Sequence, residues 1–175
     1  MATFILNPNS TESASTDWIP VGETFHHQCL DDDNDDTSYV KCDDISETFI
    51  VGFVNPIIAE GTIASIDSVR FLSSGKSSHG INTTRCSMEF YSPSGNPNEN
   101  AVYNAHRSDF TTVNGTARTT SDGSSAAWTY ANIQALRIRC TDASTVEVYL
   151  SYLAMEVTYT EAVAADNATF FGANF

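Results

Sequence analysis

The chain has 175 residues, enough to bury a core without disulfides or metals, and 41% of them are hydrophobic, which excludes a wholly disordered polymer. Eight basic residues stand against 22 acidic ones, for a formal net charge of −14. Such a surface repels phosphate backbones and anionic lipid headgroups, so no nucleic acid and no membrane is expected as a partner; basic protein surfaces, divalent cations and neutral glycans stay open.

Residues 1–16 are rich in Ser, Thr and Asn and read as an N-terminal arm or extended lead-in. Trp18, Ile19 and Val21 begin an apolar patch that Pro20 splits, as suits an edge strand. Residues 29–47 hold Asp31, Asp32, Asp33, Asp35, Asp36, Asp43, Asp44 and Glu47. So many like charges cannot be buried together, so this is a surface loop, with Thr37–Val40 as a short strand of β-formers inside it. Phe49–Val54 reads as a strand ended by Asn55-Pro56, and residues 63–72 as another. Ser73–Ser78 is a loop by composition. From Arg85 to Tyr91 the chain alternates, with Cys86, Met88 and Phe90 on one side and Arg85, Ser87 and Glu89 on the other, the pattern of a half-buried strand.

Residues 92–98 are turn-rich, residues 101–112 form a weaker strand region anchored by Val102, Phe110 and Val113, and residues 114–127 read as a loop. Trp128–Leu136 is the helical piece: Thr129 is placed to cap it, and Ile133 and Leu136 share a face. Two turns cannot stand alone, so this helix must pack on a sheet. Arg137–Cys140 resumes as strand. Val146–Tyr159 is the longest strand signal, with apolar residues on both parities, which predicts a central strand covered on both faces or carrying a bulge. Residues 161–175 read as a C-terminal arm, with Phe170, Phe171 and Phe175 as candidate partner-binding residues. The whole predicts an all-β chain: a β-sandwich or jelly-roll-like domain over residues 17–160, one short helix near 129–136, and extended terminal arms.

Candidate chemistry is sparse. The run Asp31-Asp32-Asp33-Asn34-Asp35 makes Asp31, Asp33 and Asp35 calcium candidates, since hard cations gather carboxylate oxygens. The rest of an EF-hand is missing, because Asp36 stands where the turn needs Gly and Cys42 where a bidentate Glu belongs. The competing reading is a solvated acidic loop, with no cofactor. His26, His27, Cys29 and Cys42 match no closed tetrahedral zinc spacing, and the ordinary reading puts one His inward and one outward along a strand. The four cysteines read as buried free thiols, with Cys29 and Cys42, which bracket the acidic loop, as the disulfide candidate. There is no Gly-x-Ser-x-Gly elbow, Gly75-Lys76-Ser77 lacks the upstream Gly of a phosphate loop, and no spacing selects a catalytic carboxylate pair, so no enzyme is expected. Trp18, Trp128, Tyr130 and Tyr39 are candidate sugar-stacking rings, the two tryptophans reading more simply as core plugs. Met1–Leu6 has neither the basic n-region nor the apolar core of a signal peptide, so synthesis in a cytosol is expected.

One combination carries a resemblance: Trp18, then Asp36-Thr37-Ser38-Tyr39-Val40 and Glu47-Thr48-Phe49-Ile50, then Ala127–Leu136 and the strand Val146–Tyr159. It resembles a diffuse set of structural proteins of tailed bacteriophages and related viruses, found as head decoration (cement) or tail-associated components. The resemblance implies a virion protein, most simply a capsid decoration protein, that forms a homo-oligomer and binds the major capsid protein or other virion proteins. Its motifs carry no catalytic residues. Docking arms of the kind read above would add strands or fill pockets in neighbours, and a symmetric shell would multiply those contacts. The alternatives are a tail or fibre component involved in host attachment and a glycan-binding β-sandwich module.

Overall fold

The computed structural model describes residues 1–31, 37–53, 56, 58–78, 86–91, 98–103, 109–121, 126–142 and 146–163. Alternating apolar side chains set its architecture, because each strand has one face that must leave water. Eleven strands among the described residues form two antiparallel sheets. In the first, β3 (Ile19–Val21), β4 (Tyr39–Cys42), β11 (Val148–Glu161), β6 (Ile63–Ser77) and β9 (Thr111–Asn114) lie in that order, and β1 (Ala2–Leu6) also pairs with β11. The second sheet runs β2 (Pro8–Ala14), β5 (Thr48–Phe53), β10 (Arg137–Asp142), β7 (Cys86–Tyr91) and β8 (Asn98–Tyr103). One of the two sheets curls into a half-barrel, and the fold is all-β and sandwich-like, as the sequence predicts.

β11 is the spine of the first sheet. It runs antiparallel to β6 from Val148↔Ser77 to Glu161↔Ile63, and its other edge takes β4 at Val148–Leu150 and β1 at Met155–Tyr159. Between those two neighbours a 3-10 turn, His26–Leu30, packs against β11 with Cys29 and Leu30 buried, and Asp31 makes one backbone bridge to Tyr152. The expected central strand and bulge are both present, the register shifting between Leu150 and Tyr152. Val148, Leu150, Leu153, Met155 and Val157 are all buried. In the second sheet the buried rows are Phe49–Cys140–Met88 and Val51–Ile138–Phe90, each crossing three strands in register.

Two tryptophans close the sandwich. Trp18 packs edge-on to Phe49 at 4.6 Å between centroids, and its Nε1 donates to the Glu47 carbonyl at 2.9 Å. Trp128 meets Phe90 at 6.0 Å, and its Nε1 donates to the Arg118 carbonyl at 2.9 Å. The helix α1 (Tyr130–Ala135) follows directly. Thr129 caps it, its Oγ1 accepting from Asn132 N at 3.1 Å while Asn132 Oδ1 accepts from Thr129 N at 3.0 Å. Ile133 is the buried residue that fixes α1 to the core. Gly115 is required beside Phe71, because a Cβ there would lie 2.8 Å from that ring.

Three expectations are corrected. Residues 2–14 are not an arm: they form β1 and β2, one strand for each sheet, joined by Asn7. Backbone pairing at a sheet edge tolerates Ser, Thr and Asn, and Leu6 is the one side chain of these two strands that is fully buried. Ser73–Ser77 is not a loop but the end of β6, with Ser73, Ser74 and Ser77 buried. Small side chains are what this packing needs, since a Cβ on Gly75 would meet the Tyr149 carbonyl at 2.8 Å and Leu150 Cδ2 at 2.9 Å. His26 and His27 lie on the 3-10 turn and not on a strand. At the other end, Glu161 closes β11, and Phe170, Phe171 and Phe175 lie outside the described residues.

Candidate functional site

The chain has two lysines, Lys41 and Lys76, and both reach the same outer face of the first sheet. Strand alternation puts them there. Val40, Cys42, Val148, Leu150 and Ser77 turn inward, so Lys41, Tyr149 and Lys76 turn outward. The register then lines them up, with Tyr149 opposite Lys41 on β4 and opposite Lys76 on β6. Ile19 of β3 extends the row beyond Lys41. Tyr39 and Phe110 complete a half-exposed aromatic cluster, Tyr39 lying 5.4 Å from Tyr149 and 6.4 Å from Phe110.

Each cation in this row is engaged. Lys41 Nζ lies 2.8 Å from Glu147 Oε1, and the Tyr149 hydroxyl donates to Glu147 Oε2. Lys76 Nζ sits 4.3 Å from the Phe110 ring centroid and 5.6 Å from that of Tyr149, which is cation–π range. The Lys41 and Tyr149 hydrogen bonds hold the Glu147 carboxyl below the ordinary carboxylate value, and the same bond to Glu147 raises Lys41. Burial, then the bond to Glu147, pushes the Tyr149 hydroxyl up to about 12. Around neutral pH the three groups therefore stay ammonium, carboxylate and phenol. They are fixed in charge and suited to binding, and poorly matched to proton transfer, which wants a pKa near the working pH.

Other surface polar groups are paired as well. On the outer face of the second sheet Arg137 Nε lies 3.1 Å from Glu12 Oε1, and Arg139 pairs with the nearly buried Glu89. Arg70 Nε meets Glu156 Oε1 at 2.7 Å on the first sheet. Beside α1 is an open recess of about 190 Å³ lined by Glu60, Ile63, Ser65, Ile66, Trp128 and Tyr130.

The residues singled out from sequence disperse. Asp31 is exposed, tied to β11 through its backbone, while Asp33 and Asp35 lie outside the described residues. Among the described residues no group of three or more His, Cys, Asp or Glu side chains converges as a metal site would. Cys29 and Cys42 are not bonded to each other. Both are buried free thiols, Cys29 Sγ donating to the Val21 carbonyl at 3.6 Å and Cys42 Sγ to that of Asp44 at 3.4 Å. Desolvation raises both, Cys42 to about 12. His26 Nε2 is 2.7 Å from the Trp18 carbonyl and His27 Nδ1 is 3.2 Å from Thr11 Oγ1 on β2, so each ring ties the 3-10 turn to a neighbouring segment. Trp18 and Trp128 are buried and offer no ring to a sugar. Tyr130 spends its hydroxyl on the Ile58 carbonyl at 2.8 Å, which leaves Tyr39 as the one sequence-selected ring in the outer cluster.

The row Lys41–Tyr149–Lys76 escaped the sequence reading. Its signal was the scarcity of lysine, but only strand register joins residues so far apart in the chain. Comparison of the chain with known protein families finds no match, and comparison with curated proteins finds none either.

Proposed function

We propose that this chain is a structural protein of a virus particle, most simply a capsid decoration protein that binds the major capsid protein or another virion protein and acts as a homo-oligomer. One observation carries the reading: the described residues that give the resemblance to phage structural proteins are framework residues of the sandwich. Trp18 plugs one end through the Glu47 carbonyl and Phe49. Tyr39 and Val40 lie on β4, Thr48–Ile50 on β5, Trp128 and the capped α1 close the other end, and β11 is the spine. A likeness concentrated in scaffold residues supports a role that resides in the scaffold, namely a rigid block presenting surfaces. The Lys41–Tyr149–Lys76 row is the surface best suited to protein contact, because it joins aromatic area to fixed charge in an otherwise acidic chain.

The test is copy number. Quantitative mass spectrometry of purified particles of the virus that encodes this chain should find it at hundreds of copies per particle, in proportion to the capsid protein. A handful of copies would move it to the tail or fibre. Complete absence from particles would overturn the proposal.

A further inference from the structure

We propose that Cys86 and Cys140 form a latent cross-strand disulfide, closed by a small-molecule disulfide and reopened by mild reduction. Cys86 opens β7 and Cys140 lies on β10. The register sets Cys86 opposite Asp142 and Cys140 opposite Met88, so the two thiols occupy diagonal sites on one face of adjacent strands. That face is the inner one: both cysteines are wholly buried, and the two thiols are near enough for Cys140 to bear on the ionisation of Cys86. Cys86 Sγ also lies 4.0 Å from the Ser87 carbonyl, much as Cys29 Sγ and Cys42 Sγ lie against those of Val21 and Asp44; what sets Cys86 apart is a second cysteine on the adjacent strand.

The diagonal placement predicts the character of the bond. Diagonal neighbours on antiparallel strands lie roughly 7–8 Å apart, whereas a relaxed disulfide spans Cα separations of about 4.4–6.8 Å. Closure must draw the strands together by about 1 Å, which strains the bond and leaves it easily reduced. The strand that must yield is β7, of which Cys86 is the first residue, because Asp142 at the end of β10 is held by its N–H to the Glu47 carbonyl at 3.0 Å and by its carbonyl to the Ser46 N–H at 2.7 Å. Opening of that strand end admits the oxidant. The neighbouring Cys140 thiol and burial raise the Cys86 pKa, so closure is slow and gated by that opening.

The chemistry balances through exchange. One cysteine, deprotonated, attacks the small disulfide and releases one small thiol, leaving a mixed disulfide on the protein. The second, deprotonated in turn, attacks the protein-bound sulfur and releases the other small thiol. Two protein thiols are oxidised, one small disulfide is reduced to two thiols, and the Sγ–Sγ bond forms.

The folded full-length chain, incubated with glutathione disulfide at neutral pH, should lose about 2 Da, with peptide mapping joining Cys86 to Cys140. Amide exchange at residues 86–88 and 140–142 should slow, and millimolar dithiothreitol should reverse both changes. Cys140→Ala should abolish the mass loss. The proposal is overturned if the folded chain keeps all four thiols while the urea-unfolded chain cross-links under the same oxidant, or if the bond maps to Cys29 or Cys42. None of these outcomes depends on the chain being a virion protein.

Discussion

Trp18 is the residue on which the framework reading can be tested most directly. Its side chain is 1% exposed and packs on Phe49, and its indole N–H donates to the Glu47 carbonyl at 2.9 Å. That carbonyl also accepts the Asp142 amide at 3.0 Å, so removing the indole N–H does not orphan it. Trp18→Phe should therefore cost one net hydrogen bond, about 1 kcal/mol, plus about 1 kcal/mol for the lost ring area. Trp18→Ala empties the site and should cost about 3–5 kcal/mol. For a chain of this length these costs correspond to melting temperatures lower by about 4–8 °C and about 6–20 °C. Urea unfolding followed by far-ultraviolet circular dichroism, which does not depend on the deleted fluorophore, should show a lower midpoint at unchanged slope for both variants. If Phe costs as much as Ala, the hydrogen bond and not the packing holds this end together. If Ala costs less than about 1 kcal/mol, Trp18 is not a plug and the framework argument fails.

The Lys41–Glu147 pair makes stability depend on pH in a defined window. Glu147 is depressed below its ordinary 4.5, so its contribution is full above that value and is lost as pH falls through the folded value. Lys41 is raised above its ordinary 10.5, so its contribution is full below that value and disappears as pH rises through the folded value. Both side chains are partly solvated, so Glu147→Gln should cost only about 0.5–1 kcal/mol, or about 1–4 °C, between those limits. Melting curves at pH 7 and pH 3 check this, since the gap between wild type and variant should shrink at pH 3, and a gap that widened on acidification would refute the assignment. The acidic loop gives the other prediction: with Asp31 exposed and like charges best left in water, chelation at matched ionic strength should leave the melting temperature unchanged. A melting temperature lowered by chelator and restored by calcium would instead make Asp31, Asp33 and Asp35 a cation site.

Much of the fold was legible because strand alternation and capping act over a few residues. Cys86, Met88 and Phe90 alternate and are buried, Thr129 caps α1 as its spacing implied, and the two-sided apolar pattern of Val146–Tyr159 belongs to the central, bulged β11. Composition misled where a strand needs no apolar residues. Ser73–Ser77 looked like a loop because serine and glycine favour turns, yet β6 needs small side chains against Tyr149 and Leu150. Residues 2–14 looked like an arm because polar residues favour solvent, yet backbone pairing, with Leu6 buried in the core, Phe4 against Tyr159 and Glu12 paired with Arg137, seats β1 and β2 on the sheet edges.

The sequence by itself determined what short-range chemistry dictates: an all-β chain, strongly acidic, with its inward residues marked by period-two alternation and its helix start marked by Thr129. Only the tertiary structure decided which strands are neighbours. Register across the sheets places Lys41, Tyr149 and Lys76 in one row and brings the Cys86 thiol to that of Cys140 while leaving Cys29 and Cys42 apart as separate thiols. Alternation tells which way a side chain points, but the partner it meets depends on pairings between distant segments, and those are fixed only when both sheets close over one core.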